Sequence, residues 1–253
     1  MNYDRYFLFG CSWTKYYWPS WADIINYATD KPVYNWGRPG MGNVGIFCRL
    51  VECDLKYKFT ERDAIIVQWT NWTREDRYIN GWKAYGNVFN NPFYDKHFTK
   101  KYWSWDNDVI KNATTILTAN KAYRINYQFN MLPYLTKEAG YEPDITPDEV
   151  NLAEFYNEHL PTLDTWPISN NSQFRGNCID PHPDIRNHLY FYNNYIKTKF
   201  PLDLGLQELR LNRLFLRISQ KLNKSMTYNE TQDTVMKLVK HFDPNFSFNN
   251  EGF

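Results

Sequence analysis

The 253-residue chain lacks several features that would assign it to a membrane, secreted or disulfide-rich class. No apolar run approaches the roughly 20 residues that a membrane helix requires. The first residues, MNYDRYFLFG, lack the basic start and longer apolar region of a signal peptide, and they predict a first core strand instead. The four cysteines include no C-x-x-C pair, which favours buried free thiols over a disulfide framework. We therefore expect synthesis in a reducing cytoplasm without a membrane-spanning segment.

The chain also lacks an excess of charge of one sign. Its formal net charge is +1, and both signs are scattered along the sequence, so a nucleic-acid partner is not expected. There is no P-loop, dinucleotide fingerprint or metal-ligand cluster, and His97, His159 and His241 are isolated, so no cofactor or metal is predicted. Aromatic residues are abundant at 19%, and the hydrophobic content of 43% suffices for one sizeable core. The wealth of Asn, Tyr and Lys fits an AT-rich coding genome, including that of a phage.

The first 70 residues alternate between short apolar runs and helical patterns. Strands are predicted at 5–9, 33–36 and 64–69, and apolar residues recur at helical spacing in 21–28 and 44–51. This alternation is typical of a parallel sheet covered by helices. In such sheets ligands bind at the carboxyl edge of the strands.

The remaining chain divides into a core and a helical extension. We predict a core over 1–200, with an irregular insertion or lid at about 77–105, and a helical extension over 201–253. Within these ranges the patterns predict further helices near 106–123, 150–160, 185–196, 211–222 and 235–242, and a fourth strand within 124–132. The extension is interpreted as a cap on the core in preference to an oligomer contact, although a homo-oligomer formed through it is an alternative.

Four short blocks carry residues suited to acyl chemistry. In FGCSWT, Ser12 follows a strand and a glycine, a position that presents a hydroxyl at the sheet edge, where it needs a base to become a nucleophile. The glycines of NWGRPGMGN can direct backbone N–H groups at an oxyanion, and Asn71 after the third strand can add an amide donor. Each of these blocks alone is more typical of an ordinary turn.

The fourth block, DPHPDIRNH, supplies the base. Asp180 lies two residues before His182, ahead of a predicted helix. A carboxylate at this position can hold the histidine in the tautomer that accepts a proton from a serine.

In their order and spacing the four blocks resemble the SGNH/GDSL hydrolase family, over about residues 5–197. The resemblance implies a three-layer α/β/α flavodoxin-like sandwich with a mostly parallel sheet, to which the C-terminal helical extension is added. It also implies a catalytic triad of Ser12, Asp180 and His182, oxyanion donors at Gly40 and Asn71, and a structural role for His188.

Several departures from the family pattern leave more than one assignment open. Gly-Asp-Ser-Leu becomes Gly-Cys-Ser-Trp here, which makes Cys11 a second candidate nucleophile. The third block is altered around Asn71, so Thr70 is a second candidate donor. Gly42 competes with Gly40 for the oxyanion role, and Asp184 competes with Asp180 for orienting the histidine.

The predicted function is a serine esterase or acylhydrolase acting on a small-molecule or glycan ester, with an O-acetylated carbohydrate as the leading substrate. The resemblance supports that substrate, as does a set of aromatic residues that could stack on sugar rings: Trp82, Tyr85, Tyr102, Trp103 and Trp105. A second hypothesis is a catalytically degenerate glycan-binding or virion structural protein of the same fold. A third is an acyltransferase that uses the same residues.

Overall fold

The computed structural model describes residues 3–70, 74–78, 82–87, 105–130, 182–222 and 226–248, with the backbone alone at 75, 77–78, 82–87, 105–110, 130 and 228. The described strands are β1 (Arg5–Phe9), β2 (Val33–Asn35), β3 (Asp63–Trp69), β4 (Arg74–Tyr78), β5 (Trp82–Asn87) and β6 (Tyr127–Asn130). The described helices are α1 (Trp21–Ala28), α2 (Asn43–Tyr57), α3 (Trp105–Ala122), α4 (Ile185–Phe191), α5 (Leu206–Lys221) and α6 (Tyr228–Phe242). After α4 the chain continues through a π-helical turn at Tyr192–Ile196 to Lys197–Lys199.

Four of the strands form a parallel sheet in the order β2-β1-β3-β6. β1 lies in the centre, where Phe7 is opposite Tyr34 of β2 and Ile65 of β3. All seven residues of β3 are buried, as expected for a strand covered on both faces. The predicted parallel α/β sheet is confirmed.

Side chains alternate between the two faces of β1 and build two separate apolar clusters. Tyr6 and Leu8 enter the first cluster, which also contains buried residues of α1, α4, α5 and α6. Phe7 and Phe9 enter the second cluster, against α2 and α3. Helices therefore cover both faces of the sheet, and the predicted three-layer sandwich with C-terminal helices is confirmed.

The C-terminal helices complete the first cluster. Leu211 and Phe215 of α5 and Val235 and Val239 of α6 are buried in it. After α6, the Asp243 carboxylate accepts a hydrogen bond of 3.0 Å from the Tyr27 hydroxyl. None of the helices in the described ranges has both the length and the apolar content needed to cross a bilayer.

One sequence-based expectation is wrong in part. The sequence predicts an irregular segment over 77–105, yet β4 and β5 form an antiparallel pair that spans its beginning. The sequence REDRY of β4 has few residues of high strand propensity, and pairing with β5 overrides that local preference. Residues 88–104 and the predicted helix at 150–160 lie outside the described ranges.

Candidate active site

The loop after β1 holds Ser12 in a tight turn. The N–H groups of Thr14 and Lys15 both donate to the Cys11 carbonyl, at 3.0 and 3.1 Å. A Cβ atom at Gly10 would overlap Thr14 Oγ1, so only glycine fits there. Ser12 itself is only 4% exposed.

A buried glutamine in β3 fixes this loop. The Gln68 side-chain oxygen accepts hydrogen bonds from Thr14 Oγ1 and, at 3.3 Å, from Trp21 Nε1. Its amide nitrogen lies 3.8 Å from Cys11 Sγ, and the Cys11 side chain is fully buried in the first cluster. Because a thiol in such surroundings is unreactive, this geometry favours Ser12 over Cys11 as the candidate nucleophile.

The structure brings Ser12 and His182 together from positions 170 residues apart. The distance between Ser12 Oγ and His182 Nε2 is 2.9 Å, within hydrogen-bond range. His182 lies in the segment that leads into α4, at the carboxyl edge of the parallel sheet. For the serine to donate to Nε2, the imidazole must carry its proton on Nδ1.

Two aromatic residues of the Ser12 loop hold the segment around His182. The Tyr16 ring stacks on the imidazole, with centroids 4.0 Å apart and planes 19° from parallel. Trp18 Nε1 donates a hydrogen bond of 2.8 Å to the carbonyl of Pro183, which follows the histidine. Ser12 and His182 are therefore positioned by one continuous loop.

The contacts and burial of Asp184 and His188 indicate structural roles for both residues. The Asp184 carboxylate caps α4 by accepting hydrogen bonds from the N–H groups of Arg186 and Asn187, at 2.9 and 3.0 Å. Burial, aided by the nearby His182, lowers the pKa of His188 to about 3, so His188 is neutral at neutral pH. Its Nδ1 atom has no hydrogen-bond partner within the part of the chain that the structure describes. Asp180 lies outside the described residues.

The geometry of the glycine loop between β2 and α2 distinguishes the two candidate oxyanion glycines, Gly40 and Gly42. Gly40 adopts a φ of 76°, a left-handed conformation that favours glycine. The Gly42 N–H donates to the Asp76 carboxylate at 2.8 Å, and the Gly45 N–H does the same at 2.7 Å. Since Asp76 occupies the Gly42 donor, this geometry favours Gly40.

Asp76 is contributed by β4 and is buried against the first turn of α2. Burial raises its pKa, although the hydrogen bonds from Gly42 and Gly45 partly oppose the shift. A Cβ atom at either glycine would lie 2.8 Å from a carboxylate oxygen of Asp76. The β4–β5 pair and the glycine loop are therefore closely fitted to each other.

The end of β3 is fixed by Asn43, the first residue of α2. Its side-chain oxygen accepts the Thr70 N–H at 2.7 Å, and its amide donates to the Thr70 carbonyl at 3.0 Å. The backbone N–H of Thr70, the second candidate oxyanion donor beside Asn71, is thus already bound to Asn43. Asn71 itself lies outside the described residues, as do the side chains of the aromatic residues suggested for sugar stacking.

Sequence reasoning missed four residues that organise the site: Tyr16, Asn43, Gln68 and Asp76. Gln68 had a recognisable signal, because a polar residue within an apolar strand requires a buried partner. The other three are set by contacts between distant segments. Among the described residues, no group of three or more His, Cys, Asp or Glu side chains is arranged to hold a metal ion.

No model of a known protein family matches the chain, and no curated protein matches it. Among solved structures, the chain is similar to the lipase/acylhydrolase from Enterococcus faecalis, with a TM-score of 0.34 and 12% sequence identity. That match covers 88% of this chain and 99% of the bacterial one.

Proposed function

We propose that this protein is a serine esterase or acylhydrolase with Ser12 as its nucleophile and His182 as its base. The observation that carries the proposal is the 2.9 Å separation of Ser12 Oγ and His182 Nε2. A serine hydroxyl is a weak nucleophile unless a base within hydrogen-bond reach accepts its proton. The proposal assigns Asp180 to hold the Nδ1–H of His182, and Gly40 and Asn71 to bind the oxyanion.

The proposed reaction has two halves. Ser12 Oγ attacks the acyl carbonyl while His182 Nε2 takes the serine proton, and the backbone N–H of Gly40 and the Asn71 amide stabilise the oxyanion. The alcohol then leaves with the proton from His182, and the acyl group remains on Ser12. A water molecule attacks this acyl-enzyme and gives a proton to His182, which returns that proton to Ser12 as the carboxylic acid departs.

The substrate proposed is a small acyl ester, with an O-acetylated carbohydrate as the leading case. Ser12 is almost fully buried, and Tyr16 covers one face of its partner histidine. These surroundings favour a compact acyl group such as acetyl over a long chain.

The first test replaces the nucleophile. Ser12→Ala should abolish labelling by a serine-directed fluorophosphonate and lower hydrolysis of an aryl acetate by about 10⁴-fold or more, because no other group forms the acyl-enzyme. Cys11→Ala is the matched control and should keep both properties. Asn71→Ala should retain some activity, since the loss of one oxyanion donor costs about 10²–10³-fold.

Three outcomes would point elsewhere. Full hydrolysis by Ser12→Ala would remove the serine mechanism. A folded wild-type protein that neither takes the label nor turns over acetyl esters would favour a non-catalytic glycan-binding or virion protein. Labelling with acyl transfer to an added sugar in preference to water would indicate an acyltransferase.

A further inference from the structure

The outward face of α5 exposes leucines to water. Leu206 is 80% exposed, and Leu209 and Leu216 are each 51% exposed. At about 100° per residue these three positions fall within roughly 80° of one another around the helix. Exposed apolar side chains grouped on one face of a helix are typical of an interaction surface.

Arginines line the adjoining strip of the same helix. Arg210, Arg213 and Arg217 follow one another at helical spacing, and all three are exposed. Arg210 donates to Gln207 and lies over the Phe242 ring, but Arg213 and Arg217 have no partner among the residues that the structure describes.

Several arginines elsewhere in this chain are paired. Arg5, Arg62 and Arg124 form salt bridges with Asp63, Asp4 and Glu61. The α5 arginines concentrate positive charge in a helix that carries one glutamate and no aspartate. This strip is therefore suited to a negatively charged partner.

A groove between α5 and α6 adds a binding volume beside the arginines. It measures about 220 Å³ and is lined by the three arginines and by His241 of α6, over apolar groups that include Leu214 and Phe242. Guanidinium groups bind phosphate through paired N–H donors, so the groove can accept a phosphate headgroup.

We propose that the outward face of α5 docks on an anionic phospholipid surface. The leucines would enter the boundary between headgroups and acyl chains, and the arginines would bind the headgroup phosphates, with α5 lying in the plane of the interface. This mode of binding requires no membrane-spanning segment.

Two further occupants fit the observations less well. A two-fold dimer through this face would bring the arginines of one copy against those of its partner, with like charges opposed. A nucleic-acid backbone would satisfy the arginines but leave the leucines in water. An anionic phospholipid surface can bind the arginines and also bury the leucines.

The test measures co-sedimentation of the 253-residue chain with vesicles. The wild type should bind vesicles that contain roughly one third phosphatidylglycerol, and it should bind pure phosphatidylcholine much more weakly. Arg213→Gln with Arg217→Gln, and Leu206→Gln with Leu209→Gln, should each reduce partitioning by about tenfold or more. Lys237→Gln with Lys240→Gln, on exposed positions of α6 outside the groove, is the matched control and should change it by less than about threefold.

Five results would overturn the proposal. The first three are no binding by the wild type, equal loss in the control pair, and unchanged binding in either α5 pair. The other two are a dimer that the leucine pair dissociates, and stronger binding of a single-stranded oligonucleotide than of the anionic vesicles. Ser12→Ala should bind vesicles like the wild type, so failure of the esterase proposal would leave this one standing.

Discussion

The surroundings of His182 show how single side chains hold its imidazole in place. Tyr16 covers one face of the imidazole in nearly parallel stacking, and the Trp18 hydrogen bond to Pro183 fixes the adjacent backbone. In the proposed reaction His182 becomes a cation beside an aromatic face, an arrangement that is electrostatically favourable. Tyr16 is therefore expected to act as a positioning residue.

Replacing Tyr16 tests this role. Tyr16→Leu should lower kcat/KM for an acetyl ester by about tenfold, because the imidazole loses its aromatic support. Tyr16→Phe keeps the ring and should stay within about twofold of the wild type. The measurement is steady-state hydrolysis with kcat and KM determined separately, and the loss should lie in kcat. Equal rates in the two variants, at equal thermal stability, would contradict the role of the ring.

At the residue scale, the sequence is informative where chemistry lies in short motifs. Ser12 and His182 are recognisable because each stands in a block with characteristic neighbours. Tyr16 and Gln68 are not, since their partners lie in segments that only the fold brings together. The catalytic roles of Ser12 and His182, like those of Asp180, Gly40 and Asn71, stay predictions.

The start of α1 shows how an element end responds to pH. Ser20 and Asp23 form a capping box in which the Asp23 carboxylate accepts the Ser20 N–H at 2.8 Å. Burial raises the pKa of Asp23 to about 6, although the hydrogen bonds from Ser20 oppose the shift. The folded state thus holds this proton more tightly than the unfolded state, so ionisation between about pH 4 and pH 7 lowers the free energy of unfolding.

Asp23→Asn should remove this pH dependence while keeping an acceptor for the Ser20 N–H. Relative to the wild type, the variant should gain about 1–3 kcal/mol of unfolding free energy on going from pH 4.5 to pH 8. Urea denaturation at the two pH values measures the difference. A difference that does not change with pH would contradict the assignment.

Asp63→Asn is the matched control for this experiment. Burial alone would raise the pKa of Asp63, but hydrogen bonds from Arg5 and Thr60 outweigh it, and the pKa is lowered. Its stabilising contribution is therefore lost only as the pH falls below about 4. The cost of Asp63→Asn should stay nearly constant from pH 4.5 to pH 8.

Helices and strands with a regular apolar pattern were predictable from the sequence. The β4–β5 pair was not, and the reason is physical. The helices α1, α2 and α5 show apolar residues at helical spacing. Of the four parallel strands, β1, β2 and β3 are short apolar runs ended by turn residues. The β4–β5 pair has neither signal. Asp76 of this pair is held in place by hydrogen bonds from the start of α2, and the periodicity of the sequence gives no sign of such contacts.

At the scale of the whole molecule, one apolar cluster joins β1, α1 and the C-terminal helices. Phe215 of α5 is fully buried in this cluster, and the guanidinium of Arg186 lies over its ring at 4.0 Å. Loss of packing in α5 should consequently destabilise the sheet as well as the C-terminal extension.

Phe215→Ala should lower the free energy of unfolding by about 3–5 kcal/mol. Tryptophan fluorescence and far-ultraviolet circular dichroism should shift together in urea, because the cluster couples the extension to the core. Leu216→Ala, at the exposed neighbouring position, should change stability by no more than about 0.5 kcal/mol. A separate early transition in circular dichroism alone would show that the extension unfolds as its own unit.

The long sequence separation of Ser12 and His182 has a consequence for the order of folding. The two residues are 170 positions apart, so we expect them to meet only after the strands have assembled and the segment before α4 has docked on the Ser12 loop, because long-range contacts form slowly and at an entropic cost. Collapsed intermediates of the chain can hold most of their secondary structure before this contact exists. Under the proposed function, hydrolytic activity at Ser12 is therefore expected to be the last property that a folding chain acquires.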